Sequence, residues 1–442
     1  MNKMIKYAMS LLMVMTLCLP NMQAQIVKNQ ENLDVLVNNA NPEQDEEVVE
    51  DSEDSAVADS AMVETITAET LRLPWTETVK VGLDKLLKSK MFETSQVGIM
   101  FWDLEADSCI YRFRERQLMR PASTMKLVTA ITALDKLGGS YQFKTTLKYT
   151  GTIDNGVLKG DVYCIGGMDP RFNNDDMTAF VTSLKDMGVD SIQGSIYADR
   201  SMKDEDLLGE GWCWDDDNPV LSPLVFGRKD IFMERFLAKL KDAGIFYAGS
   251  GTSVKRCPAS AFTICTRFHT MDQILHKMMK DSDNLYAESM YYQIASSTGN
   301  RPESAKSARN VQRQLVRKIG LDPARYKFAD GSGLSLYNYV SAELEVKLLR
   351  YAYQDENILP HLKQSLPIAG VDGTLKRRMR SGFAHGNVKA KTGTVTGVIG
   401  LAGYCKAANG HDLCFSILNN GIMHSNNARS FADKVCELLC QP

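Results

Sequence analysis

Pro121 opens and Gly138-Gly139 closes a helix-patterned run in which Ala122, Met125, Leu127, Val128, Ala130 and Ile131 are apolar. Proline in the first turn and glycine just past the end are the usual limits of a helix, so one is predicted up to Leu137. Beyond it the texture turns to short strands and turns: Phe143 to Tyr149, Asp154-Asn155-Gly156, Leu158 to Ile165 and Ser191 to Ala198. Helices near Thr178 to Met187 and Phe236 to Ala243 interrupt them. Helical periodicity resumes at Met271 to Met279, breaks at Asp281-Ser282-Asp283-Asn284 and continues from Leu285 through Ile294. A chain of this kind leaves one body, builds a second and returns.

Before the first trusted helix, order is expected from about Leu71 to Pro74, with an amphipathic helix over Val79 to Met91 and a strand over Gln96 to Asp103. Near the end, Asn387 to Tyr404 and Asp412 to Asn419 read as consecutive strands and Ala428 to Leu439 as a closing amphipathic helix. The fold class is α/β (α+β): a sheet flanked by helices over 71–143 and 266–442, with an inserted α/β domain over 144–265.

The N-terminus sets the compartment. Lys3 and Lys6 precede the apolar run Ala8 to Pro20, and polar residues end at Met22-Gln23-Ala24, the layout of a secretory signal peptide over 1–24. Leu17 stands before Cys18 where a lipoprotein signal wants a small residue, which argues against lipidation. From Asn41 to Ser60 there are nine acidic residues and no basic one, so 25–70 reads as an acidic disordered linker. No later stretch reaches the roughly 20 apolar residues of a membrane span. A mature protein in the periplasm, with no transmembrane helix, is expected. The net charge of -3 gives no basic field for nucleic acid.

Loss of Cys18 with the leader would leave nine cysteines, an odd number. If Asn409-Gly410 forms a two-residue hairpin turn, Cys405 and Cys414 lie opposite each other and a disulfide is geometrically open to them. Two buried thiols are the equal alternative. The histidines are scattered and there is no Cys-x-x-Cys, so neither a metal nor another cofactor is expected.

Three short motifs carry the chemistry. Ser123-Thr124-Met125-Lys126 sets a hydroxyl and an amine three residues apart on one helix face. Ser282-Asp283-Asn284 occupies the predicted helix corner, and Lys391-Thr392-Gly393-Thr394 a predicted strand. Each alone has a plain structural explanation: a helix cap, a polar corner, an edge strand carrying lysine. Together, in this order, they form the signature of serine penicillin-binding proteins and β-lactamases. Serine alone is a poor nucleophile; a neighbouring lysine kept partly neutral by burial and by other positive charge can take its proton.

The sequence most resembles the D-alanyl-D-alanine carboxypeptidase/endopeptidase family typified by penicillin-binding protein 4 (peptidase family S13). The resemblance rests on Arg120 to Lys126, Asp154 to Asp161, Gly211-Trp212-Cys213-Trp214-Asp215-Asp216, Lys280 to Asn284, Asp330-Gly331-Ser332-Gly333-Leu334-Ser335, Leu366 to Leu375 and Ala390 to Thr394. It implies a serine β-lactamase/transpeptidase-like domain with an antiparallel sheet. It also implies peptidoglycan peptides as substrate and β-lactams as covalent inhibitors. Catalytic roles fall on Ser123 as nucleophile, Lys126 as base and Ser282 as proton relay to the leaving D-alanine. Asn284 would hold the substrate amide, Lys391 would supply the nearby cation, and Thr392 and Thr394 would bind the terminal carboxylate. The backbone N–H groups of Ser123 and Thr394 would form the oxyanion hole, and Gly393 would leave room for substrate beside the strand. A serine β-lactamase and a non-catalytic wall sensor share these motifs and are the rival readings. Two departures stand out: the insertion is shorter than is common in the family, and Leu336 follows Ser335 where arginine is familiar. The loop Asp330 to Ser335 reads equally as part of the site or as a plain turn, and Asp372-Gly373-Thr374 has no independent physical reading.

Overall fold

The computed structural model describes residues 74–442 except 214–217, 250 and 300, all within the compact unit Thr67–Pro442. The expected signal peptide, the acidic linker and Trp214 to Asp216 lie outside the described residues.

The chain enters through α1 (Trp75–Leu86) and the strands β1 (Gln96–Asp103) and β2 (Ser108–Phe113). The helix expected from Val79 thus starts earlier and stops sooner, with a separate 3-10 turn at Lys90–Glu93. A second 3-10 turn, Ala122–Thr124, leads directly into α2 (Met125–Leu137), in which every residue from Met125 to Leu134 is buried.

The chain then builds two further sheets from β3 (Gln142–Tyr149), β4 (Thr152–Asp154), β5 (Val157–Lys159) and β6 (Val162–Ile165). To these it adds α3 (Asn174–Asp186), β7 (Ser191–Ile192), β8 (Ile196–Asp199), α4 (Phe232–Asp242), β9 (Phe246–Tyr247), β10 (Ser253–Val254) and β11 (Phe262–Thr270). One sheet runs β10-β8-β6-β3-β11 and the other β4-β5-β7-β9. The continuous strands expected over Leu158 to Ile165 and Ser191 to Ala198 are each broken in two. The halves join different sheets, so the chain must cross between layers at Gly160-Asp161 and at Gln193 to Ser195. A common apolar core, including Leu147, Phe180, Ile196 and Phe236, lies beneath both sheets.

The return path is helical: α5 (Met271–Lys280), α6 (Asn284–Ser296), α7 (Ala305–Lys318), α8 (Ala342–Tyr353) and α9 (Leu359–Ser365). Thr270 and Gln273 form a reciprocal capping box at the start of α5, and Asp283 caps α6 by accepting Tyr286 N–H. The last strands are β12 (Lys389–Val395), β13 (Val398–Lys406) and β14 (Asp412–Asn420), followed by α10 (Ser425–Cys440). The single strand expected from Asn387 to Tyr404 is therefore a hairpin, turned at Gly397 where φ is +74°.

The main sheet is antiparallel in the order β12-β13-β14-β1-β2. Residues Val398 to Cys405 are all buried, as a continuous apolar run covered on both faces requires. One face packs a core that includes α1 and α10, the other a core that includes α2, α5 and α8. Burying the side chains of Phe431, Val435 and Leu439 on α10 contributes about 2 kcal/mol apiece.

The hairpin between β13 and β14 settles the cysteine question. Tyr404 pairs with Cys414 and Cys405 with Leu413, while Ala407 N–H bonds His411 O and Gly410 N–H bonds Ala407 O. The loop thus holds Ala408, Asn409 and Gly410, one residue more than the expected two-residue turn. That slip sends the two thiols to opposite faces of the sheet, Cys405 into the core beneath α10 and Cys414 into the core beneath α8. The disulfide geometry is lost, and both residues are free buried thiols.

Candidate active site

Ser123 sits in the 3-10 turn just before α2, and Lys126 follows on the first turn of that helix. Lys126 is fully buried, and its Nζ lies 3.0 Å from Ser123 Oγ, 2.7 Å from Asn284 Oδ1 and 3.0 Å from Ser332 O. The amide oxygen and the carbonyl can only accept. They claim two protons of the amine, which leaves the direction facing Ser123 able to donate as ammonium or to accept as free amine.

Ser282 occupies the α5–α6 corner with φ at 63°, a left-handed conformation costly for a side-chain-bearing residue. The corner is pinned from three directions. Asp283 caps α6 and takes Arg228 Nη1 at 2.8 Å, Asn284 reaches Lys126, and Lys280 forms an ion pair with Asp372 at 2.5 Å. Lys391 on β12 is also fully buried and directs its Nζ to Ser282 Oγ at 2.9 Å and to Thr392 O at 2.8 Å. The site thus contains two serine–lysine contacts, Ser123 with Lys126 and Ser282 with Lys391. They are joined through the Ser282-Asp283-Asn284 corner.

Alternation along β12 sets Thr392 and Thr394 on one face. Thr392 Oγ1 meets Thr374 Oγ1 at 2.8 Å, whereas Thr394 is exposed and stands opposite Ile399 in the β13 register. Gly393 is required by contact. A Cβ there would lie 2.6 Å from Pro121 O and 3.2 Å from Thr124 N, so the strand rests directly on the turn that bears Ser123. The expected reason was room for substrate; the contact found is with the protein's own nucleophile turn.

The loop Asp330 to Ser335 belongs to the site through Ser332 O. Asp330 folds it by accepting Gly333 N–H at 2.8 Å, Ser335 N–H at 2.6 Å, Asn338 Nδ2 at 2.7 Å and Trp212 Nε1 at 2.9 Å. Thr129 Oγ1 donates to Gly331 O at 2.7 Å, and Glu288 Oε1 accepts Gly331 N–H at 3.0 Å and Ser332 N–H at 2.7 Å. Glu288 is fully buried; burial, with the Asp330 charge adding to it, pushes its carboxyl up to about 8.

Sequence reasoning missed Glu288 and Glu345; it singled out Lys280 and Asp372-Gly373-Thr374 without a physical role, which the Lys280–Asp372 ion pair and the Thr374–Thr392 contact now supply. Glu345 is buried beside Thr124, and burial raises its carboxyl to about 7. A signal for both glutamates was present. Glu345 shares the apolar stripe of Leu348, Leu349 and Ala352, and Glu288 that of Leu285, Tyr292 and Ala295. Asp103, Glu105 and His411 bring potential metal-ligand atoms within 4.8 Å of one another, but Asp103 is already engaged by His411 Nδ1 at 2.8 Å and by two backbone N–H groups. None of the three contacts the site residues named above.

An antiparallel sheet between helical layers, with Ser-x-x-Lys at a buried helix start facing Ser-x-Asn and Lys-Thr-Gly, is the arrangement of the active-serine penicillin-binding proteins. The sequence matches the D-Ala-D-Ala carboxypeptidase 3 (S13) family over residues 79–226 and 220–441, and the chain belongs to that family. It is 26% identical over 419 residues to the D-alanyl-D-alanine carboxypeptidase DacB of Haemophilus influenzae, covering 76% of this chain and 87% of that protein. It is 26% identical over 446 residues to a D-alanyl-D-alanine carboxypeptidase of Actinomadura sp., covering 79% of this chain and 82% of that one. The crystal structure of penicillin binding protein 4 (dacB) from Haemophilus influenzae superposes with a TM-score of 0.73 at 24% identity, covering 81% of this chain and 98% of that one, a likeness of fold. Among the described residues no helix is long and apolar enough to cross a membrane.

Proposed function

We propose that this protein is a penicillin-sensitive serine D-Ala-D-Ala carboxypeptidase/endopeptidase that acts on peptidoglycan peptides in the periplasm through an acyl-enzyme on Ser123. The observation that carries this reading is the placement of the buried Lys126 Nζ at 3.0 Å from Ser123 Oγ, held there by two obligate acceptors. Membership of the S13 family supports the reaction class.

In this reading Lys126 takes the Ser123 hydroxyl proton as Oγ attacks the carbonyl of the penultimate D-alanine. The oxyanion forms between the N–H groups of Ser123 and Thr394, one from each side of the Pro121–Gly393 contact. Ser282, beside Lys391, passes a proton to the departing D-alanine nitrogen. The positive charge of Lys391 and the hydroxyls of Thr392 and Thr394 hold the terminal carboxylate, and Asn284 orients the substrate amide. Water then hydrolyses the ester and returns the hydroxyl proton to Ser123. A β-lactam enters the same site as its acyl donor, and the protein named in a neighbouring crystal structure is complexed with a β-lactam. Lys3, Lys6 and the apolar run that follows support export by a signal peptide.

The test is mass spectrometry of the full-length protein after incubation with benzylpenicillin, with Ser123→Ala alongside. A penicilloyl adduct mapped to Ser123 and absent from the variant is expected, together with D-alanine release from a D-Ala-D-Ala peptide. An adduct without D-alanine release would point to a sensor, and rapid turnover of penicillin to a β-lactamase. No adduct and no hydrolysis on folded protein would remove the reading.

A further inference from the structure

Glu345 lies on α8 with its side chain fully buried. Its carboxyl meets two hydroxyls: Thr124 Oγ1 is 2.5 Å from Oε1, and Ser416 Oγ is 2.7 Å from Oε2. Thr124 Oγ1 also lies 2.9 Å from Pro121 O. A threonine hydroxyl has one proton to give, and a peptide carbonyl can only accept. With Glu345 ionised, two acceptors would compete for that proton and the loser would face a lone pair at hydrogen-bond distance in a dry site, a costly arrangement. A proton on Oε1 resolves every contact, because Ser416 then donates to Oε2 as the carbonyl oxygen of the acid.

We infer that Glu345 acts as a neutral positioning acid for the nucleophile: Glu345 Oε1–H donates to Thr124 Oγ1, Thr124 Oγ1–H donates to Pro121 O, and this chain fixes the turn that carries Ser123 against β12. Ser123 stands between Pro121 and Thr124 in that turn, and Ala122 is held at a left-handed φ of 48°. The Pro121 carbonyl at the far end of the chain is the group that abuts Gly393. Nucleophile and strand are thus spaced by a relay anchored on a helix that supplies no residue of the three motifs.

The surroundings fit a neutral acid. At this level of the sheet β14 presents Ser416, paired with Met100 of β1 and Ala402 of β13. The cation on the adjoining helix, Lys126, has its Nζ at Ser123, Asn284 and Ser332. Burial raises the Glu345 carboxyl to about 7, so its ionisation falls within a range where acylation can be followed. Once ionised, Glu345 draws the Thr124 proton to itself and Pro121 O loses its hydroxyl donor.

The inference rests on Ser123 being the acylated residue. It is tested by the second-order rate of labelling with a fluorescent penicillin from pH 6 to 9, in wild type, Glu345→Gln, Glu345→Ala and Thr124→Val, with the labelled peptide identified by mass spectrometry and folding followed by circular dichroism. Glu345→Ala and Thr124→Val should label at least about tenfold more slowly than wild type at pH 6. Glu345→Gln, whose amide can donate to Thr124 and accept from Ser416, should stay within about threefold of wild type at pH 6. The ratio of the wild-type rate to that of Glu345→Gln should then fall as the pH rises. Thr124→Val keeps the side-chain shape and decides the matter if Glu345→Ala does not fold. Wild-type rates in Thr124→Val, a Glu345→Gln as slow as Glu345→Ala, or a ratio that stays constant with pH would each overturn the inference. Wild type that is not labelled on Ser123 would instead remove the functional reading beneath it.

Discussion

Asn284 Oδ1 accepts a hydrogen bond from Lys126 Nζ at 2.7 Å, and this contact ties the second motif to the first. The two residues come from helices separated by the whole segment from β3 to β11, so the contact joins parts of the chain far apart in sequence. The third motif is tied in twice. Lys391 reaches Ser282 at 2.9 Å, and β12 rests on the nucleophile turn through Gly393. Every element that contributes to the site therefore touches at least one other through a polar contact or a backbone approach too close for a side chain. This is the rigidity that acyl transfer needs, because small misplacements of a reacting atom are expensive.

Replacing Lys126 separates a base from a mere charge. Lys126→Ala should lower penicillin acylation by on the order of 10²- to 10⁴-fold, the usual worth of a positioned base. Lys126→Arg retains the charge but cannot give up its proton and should not restore the rate. Stopped-flow acylation of folded variants measures both, and an arginine variant near the wild-type rate would show that proton transfer to this residue is unnecessary.

Gly393→Ala tests the contact between strand and nucleophile turn. The added methyl would lie 2.6 Å from Pro121 O, so strand and turn must separate. Acylation should fall by roughly 10²-fold, as for a displacement near one ångström. Unlike Gly393, Gly333 has a φ of +84° and a Cβ position 1.8 Å from Ala122 O, so Gly333→Ala should cost folded protein as well as rate. Equal acylation by Gly393→Ala and wild type would refute the spacing argument.

The cysteines give a check that is independent of catalysis. Because the hairpin loop contains Ala408, Asn409 and Gly410, Cys405 and Cys414 point to opposite faces. Proteolysis of unreduced protein should give no peptide pair joined between them, and alkylation under denaturing conditions should label Cys414. A Cys405–Cys414 crosslink would require the register of β13 on β14 to shift by one residue.

These cases mark what could be read from the chain beforehand. Ser123, Lys126, Ser282, Asn284 and Lys391 were legible because chemistry restricts residue type and spacing together, and helix limits such as Pro121 and Gly138 identified the elements that carry them. The hairpin register was not, because Asn409-Gly410 suits more than one loop length and a single added residue reverses the faces. The split strands at Gly160-Asp161 and Gln193 to Ser195 were hidden because a crossing between sheets leaves the apolar pattern of each half intact. Glu288 and Glu345 were passed over because a glutamate within a helix is ordinarily solvated. Only the spacing to Leu348 and Leu349, or to Leu285 and Tyr292, places them on buried faces.

The same glutamates fix the sign of the pH dependence of stability. Burial raises Glu345 to about 7 and Glu288 to about 8, against an ordinary value of 4.5. In each case the folded state holds a proton that the unfolded chain releases once the pH exceeds its own, lower pKa. Unfolding free energy must therefore fall as pH rises from about 4.5 through 7 and 8, by at most about 1.4 kcal/mol per pH unit for each group. Asp107 and Asp412 are lowered rather than raised, the first chiefly by the hydrogen bond from Arg350 and the second by the hydrogen bond from Lys406 acting against its burial, so their contributions change below this window. Glu345→Gln, which has no proton to release, should flatten the slope most between pH 5 and 7 and leave the segment from pH 7 to 8, set by Glu288, largely in place. Thermal unfolding at pH 5, 6, 7 and 8 in wild type and Glu345→Gln measures this directly. Parallel profiles for the two proteins would mean that Glu345 is ionised in the folded protein throughout this range, as it is in the unfolded chain, and would count against the neutral acid inferred above.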